Sequence, residues 1–260
     1  MKHLIKLSIL PILLLSSCVT TPSEPPQTEL INDAFKIDFK NAEINKNNDG
    51  DYILDFYGIS DFHGAVEEDD TDPGIAKIGS MYSNFRLDIS NFDTSNVTNM
   101  SNMLRWVGNN SENFTLDVSN FDTSNVTDMS SMFNNAGYNN PNFTLDVSNF
   151  DTSKVTNMSG MFNGTGYSNP NFTLNVSNFD TSNVSDMSGM FAGTGYNSNI
   201  FTLDVSNFDT SKVTSMSRMF YGTGYSNPNF TLDVSNFDTS NVTNMSSMFK
   251  NAGYNSTAFV

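Results

Sequence analysis

At 260 residues with a formal net charge of −16, the chain is long enough for one large domain or two small ones, and it is strongly acidic. Apolar residues make up 37% and charged residues 15%, below the roughly 45–50% and 25% of ordinary globular chains, so burial per residue is modest. Only 12 Lys and Arg stand against 28 Asp and Glu, which argues against a nucleic-acid partner, because phosphate contacts need clustered cations; a basic partner or bound cations fit better.

The N-terminus reads as an export signal over residues 1–17. Lys2 and Lys6 form a basic start, and Leu7 to Leu15 is an apolar run too short to span a bilayer. It ends in Leu15-Ser16-Ser17-Cys18, which resembles the bacterial lipobox, where cleavage leaves the cysteine as a lipid-bearing N-terminus. Cys18 is the chain's 1 cysteine, so no disulfide forms within the chain, and lipidation explains the thiol. Multiple acyl chains would hold the protein on a membrane. Residues 18–33, with Pro22, Pro25 and Pro26 among Thr, Ser and Glu, read as a stiff tether.

Residues 34–84 read as a small N-terminal α/β cap. Phe35, Ile37 and Phe39 alternate with polar residues as a first strand, and Tyr52 to Ile59 is a second apolar run. Asn47-Asn48-Asp49-Gly50 between them is a hairpin turn. It imitates the start of a calcium loop but puts Phe56 where the bidentate Glu belongs. Asp72-Pro73-Gly74 opens a predicted helix with Ile75, Ile78, Met81, Tyr82 and Phe85 on one face. Before it, the stretch Asp61-Phe62-His63-Gly64, AVEEDD and GIAKI resembles the first metal motif of the 5′-nucleotidase family of metallophosphoesterases. In that family, the resemblance implies, Asp61 and His63 would ligate one metal of a two-metal site. The family's downstream motifs do not occur here, and after loss of His3 the chain keeps His63 alone. The segment is therefore read as vestigial: no metal and no cofactor are expected, and weak metal or nucleotide binding through Asp61 and His63 is the alternative function.

From residue 85 to 260 the chain repeats itself. LDISNFDTSNVTNM at 87–100 returns from Leu116, Leu145, Leu174, Leu203 and Leu232, six copies at an unchanging 29-residue spacing. Such a period is that of a solenoid in which each unit buries its apolar face against its neighbours. Within 114–142, Phe114, Leu116, Val118 and Phe121 alternate as the inward face of a strand; Asp122 to Asn125 form a turn; Val126, Met129, Met132 and Phe133 recur at helical steps. The expected fold is an α/β solenoid, a leucine-rich-repeat-like right-handed coil with a short strand and a short helix per repeat. The wording L-D-V-S-N-F-D-T-S-N-V-T-x-M-S-x-M-F resembles the BspA-type leucine-rich repeat family of bacterial surface lipoproteins. That resemblance implies a cell-surface interaction protein with adhesion to host or matrix proteins as its usual role and no defined ligand; with the lipobox, the expectation is a non-catalytic lipoprotein anchored to the membrane through Cys18 whose protein partner is unknown.

Three polar columns follow from the register. The first is Asp88, Asp117, Asp146, Asn175, Asp204 and Asp233, a candidate binding face; the second runs Asp93, Asp122, Asp151, Asp180, Asp209 and Asp238, a column of turn caps; the third is Asn96, Asn125, Lys154, Asn183, Lys212 and Asn241. Tyr138, Tyr167, Tyr196 and Tyr225 recur in the return segment as a second candidate contact column. Trp106, in the first repeat, is expected to cover that end of the core.

Overall fold

The computed structural model describes residues 6–9, 42–46, 52–56, 85–89, 92–112 and 114–258. Four short strands come first: β1 (Lys6–Ile9), β2 (Ala42–Lys46), β3 (Tyr52–Phe56) and β4 (Phe85–Asp88). They form one antiparallel sheet in the order β2-β3-β1-β4. β2 and β3 pair antiparallel with Lys46 opposite Tyr52, while the turn residues 47–51 and the Phe35 to Phe39 alternation lie outside the described residues. Phe85 lies in β4, so the predicted helical face does not extend to it. β1 falls inside the stretch read as an export signal and pairs with β4 from Lys6 opposite Asp88 to Ile9 opposite Phe85. Cys18, the tether, Asp61 and His63 lie outside the described residues.

After β4 the chain is a stack of 29-residue coils, and its architecture corrects the expected one. Among the described residues there is no α-helix, and beyond β4 no strand, only isolated parallel bridges such as Asn99 to Asp128 and Asp128 to Asn157. A leucine-rich-repeat-like α/β solenoid with a strand and a helix in each repeat is therefore not what this chain forms. In the segment read as a helix, the N–H groups of Met129, Ser131, Phe133 and Asn135 donate to carbonyls of Asn157, Ser159, Met161 and Asn163 in the next coil, at 2.6–3.0 Å. The N–H groups in between, of Met132, Asn134, Ala136 and Tyr138, fold back to the carbonyl three residues earlier. No bond of the helical kind, reaching four residues back, is among them. Ser131, Asn135 and Asn139 sit at φ of 55°, 56° and 57°, so every fourth residue is left-handed and the segment is a run of linked turns.

The strand half of each repeat alternates as expected. Phe114, Leu116, Val118 and Phe121 are buried while Thr115, Asp117 and Ser119 are exposed. Side chains hold its neighbours here in place of a strand ladder. The Asn149 amide donates to carbonyls of Val118, Ser119 and Phe121 in the preceding coil, and Asn120, Asn178, Asn207 and Asn236 repeat the arrangement. A buried threonine closes the next seam: the Thr152 hydroxyl donates to the Asp180 carbonyl at 2.9 Å and accepts the Asp180 N–H at 2.8 Å. Polar side chains thus do what backbone pairing does in a sheet, which is why a chain so rich in Asn, Ser and Thr can stack.

The apolar residues form one continuous core along the stack. Val126, Met129, Met132 and Phe133 and their equivalents through Phe220 are 0% exposed. Phe133, Phe162, Phe191, Phe220 and Phe249 stack ring on ring at 5.7–5.8 Å, nearly parallel. Met and Phe at these positions are packing, as the register implied.

Candidate recognition surface

The first column emerges as a set of turn caps. Asp117, Asp146, Asp204 and Asp233 each accept the N–H of the serine two residues on at 2.9 Å, and Asn175 does the same at 3.0 Å. A neutral amide serves as well as a carboxylate, so this bond accounts for the side-chain shape and not for the charge. Asp88 belongs to β4. The second column behaves alike, with Asp93, Asp122, Asp151, Asp180, Asp209 and Asp238 each capping a serine N–H at 2.9–3.1 Å. In the third column Lys154 donates to the Asn125 side chain and Asn125 to the Ser95 carbonyl, both at 2.8 Å, and Lys212 with Asn183 repeats it.

Close-set carboxylates ought to raise one another's pKa values. The serine hydrogen bonds outweigh this: Asp117, Asp146, Asp204 and Asp233, and Asp122, Asp151, Asp209 and Asp238, are all held below the ordinary value of 3.8. A lowered folded pKa stabilises the fold at any pH above the unfolded value and loses that contribution as pH falls through the folded one. The thermal midpoint is therefore expected to be level through the weakly acidic range and to fall only below about pH 4. A midpoint that rose on acidification through this range would mean that carboxylate repulsion dominates.

The tyrosine column is a continuous ladder. Tyr138, Tyr167, Tyr196, Tyr225 and Tyr254 stack at 4.4–4.8 Å with planes within 18°. This spacing matches that of hydrogen-bonded chains, about 4.8 Å, so one ring per coil fills the column. Burial, then the neighbouring tyrosine, raises the pKa of Tyr167 and Tyr196. Trp106 tilts against Tyr138 at 5.8 Å and so ends the ladder.

Beside Tyr138, Tyr167 and Tyr196 runs an open groove of about 630 Å³. Its glycines, Gly164, Gly193 and Gly222, have φ of 66–67°, and each N–H bonds across to the following coil, to the carbonyls of Ala192, Tyr221 and Lys250. Asn135 and Asn163 add amides, and Arg218 and Lys250 add two cations, the Lys250 ammonium lying 5.8 Å from the centre of the Tyr221 ring. Sequence reading found the tyrosines and missed the cations. The available sign was a departure from the repeat: Arg218 stands where other copies have Asn102, Ser131, Gly160, Gly189 and Ser247.

Comparison with curated proteins and with solved structures found no match. Two overlapping stretches, residues 54–166 and 137–258, match a single family of known sequences. The first runs through Asp61 and His63 and attributes that stretch to the same family; the metallophosphoesterase resemblance is not shown. With an unbroken 29-residue register beneath both matches, this chain is a tandem-repeat member of the family described as "Mycoplasma protein of unknown function, DUF285".

Proposed function

We propose that the protein is a bacterial surface lipoprotein of BspA-like kind, anchored through Cys18, that presents its stack of coils to recognise a macromolecular partner and performs no catalysis. The tyrosine-edged groove carries this reading: it crosses several successive coils as an open trough, the form suited to an extended partner. Membership of the repeat family and the Leu15 to Cys18 sequence support it. Between the two candidate faces the groove is the better one, because the first-column carboxylates are already engaged in their turns.

The anchor is tested in a bacterium that processes lipoproteins. The wild-type chain is expected in the membrane fraction and open to a membrane-impermeant label, with Cys18→Ala released to the soluble fraction. A variant that stayed membrane-bound would count against Cys18 as the anchor. Recognition is tested on an array of extracellular-matrix and serum proteins, where saturable binding is expected and its absence throughout counts against the reading.

A further inference from the structure

The repeats are nearly identical where residues hold one coil to the next, and the tyrosines and glycines of the groove recur as well, but two positions that line it vary from copy to copy. At the position of Asn134 the copies carry Arg105, Asn134, Asn163, Ala192, Tyr221 and Lys250. At that of Ser131 they carry small residues except for Arg218, which keeps φ at 57° although a side chain with a Cβ is disfavoured there. Three departures add charge, Arg105, Arg218 and Lys250, and of these Arg218 and Lys250 line the same groove. In a chain with 28 Asp and Glu against 12 Lys and Arg, this lining holds two cations and no carboxylate.

The rest of the lining narrows the ligand further. The N–H groups of Gly164, Gly193 and Gly222 are spent on neighbouring coils at 2.7–2.9 Å, so the floor offers no row of donors with which an acidic peptide could pair as an added strand. Stacked tyrosine faces are covered by one another, so the rings meet the groove with their edges and not their faces. Side-chain amides of Asn135 and Asn163 complete a neutral, hydrogen-bonding wall suited to hydroxyl groups.

We propose that this groove binds an extended acidic polysaccharide, its carboxylate or sulfate groups held by Arg218 and Lys250 and its hydroxyls laid along the tyrosine edges and Asn163. The inference rests on the recognition reading above and names the ligand class. Guanidinium and ammonium both bind such anions through charge-assisted hydrogen bonds.

The test is calorimetric titration of the full chain with four probes: a chondroitin sulfate hexasaccharide, a hyaluronan hexasaccharide, neutral chitohexaose and a polyglutamate peptide. Binding of at least one acidic hexasaccharide is expected, weakening with added salt, with chitohexaose at least tenfold weaker. Arg218→Ser combined with Lys250→Asn installs residues that other copies carry at these places, so the fold is expected to survive. That variant should lose at least tenfold in affinity for the acidic sugar at an unchanged thermal midpoint; Arg218→Gly, matching Gly160 and Gly189, is the second variant should the first misfold. No binding of either acidic hexasaccharide, equal binding by the variants, or polyglutamate binding as tightly as the sugars would each overturn the proposal. Retained binding to the matrix-protein array alongside silent sugars would sink this inference and leave the recognition reading standing.

Discussion

Gly137→Ala is expected to destabilise the protein by about 3 kcal/mol, against about 1 kcal/mol for Gly189→Ala. Both glycines lie in the left-handed region, at φ of 61° and 63°, so both variants bear the strain of placing a Cβ there. They differ in what the new methyl meets. At Gly137 it would lie inside the Phe143 side chain, which is 1% exposed and stacked on Phe172, while the Gly137 N–H is pinned to the Val107 carbonyl at 2.8 Å. Neither partner can give way without opening the core, and overpacking costs about 1–3 kcal/mol beyond the backbone strain. At Gly189 the nearest atom is Asn163 Nδ2 at 3.8 Å, an ordinary contact. Urea unfolding of the two variants beside wild type measures the difference. Equal losses would mean that the return segment does not pack Phe143 against Gly137.

Phe162→Ala carries the largest expected effect, about 3–5 kcal/mol. Phe162 is 0% exposed, stacked between Phe133 at 5.7 Å and Phe191 at 5.8 Å, with Phe179 tilted against it at 6.0 Å. Removing the ring leaves a cavity walled on both sides by coils that are tied to their own neighbours, so little collapse is available to fill it. Phe249 is the same residue in the last described coil, 42% exposed and stacked only on Phe220 in that column. Phe249→Ala is expected to cost about 1 kcal/mol, because less apolar area leaves water there on folding. Since each coil touches only its neighbours, amide exchange in Phe162→Ala should quicken most in the coils containing Phe133, Phe162 and Phe191. Uniform quickening along the whole stack would contradict nearest-neighbour coupling.

The repeat, its phase and its inward set were legible in the sequence, because a fixed spacing of 29 residues and a burial pattern survive whatever local conformation carries them. The conformation itself was not. Met129, Met132, Phe133 and Ala136 stand at steps that a helix face would use, and a run of linked turns buries the same four residues. What separates the two is the left-handed residue recurring every fourth position, and its trace is Asn135, Asn139, Gly164 and Gly193, poor helix formers that tolerate positive φ. The strand alternation from Phe114 to Phe121 was read correctly as burial, yet alternation does not reveal which groups bond the neighbours; here Asn149 and its equivalents do so. The strand Ala42–Lys46 that pairs with Tyr52–Phe56 was passed over in the sequence because Phe35, Ile37 and Phe39 alternate more strongly than Ala42 to Lys46. At the candidate site the tyrosines announced themselves by register. Arg218 and Lys250 did not, since a residue that breaks a repeat is invisible to a search for what recurs.

The most direct test of this account is far-UV circular dichroism of the purified full chain. Coils built from linked turns predict a spectrum without the paired minima of an α-helix at the strength that one short helix in every repeat would give. Helical minima of that strength would contradict the turn-built coil, and with it the groove lined by Gly164, Gly193, Arg218 and Lys250.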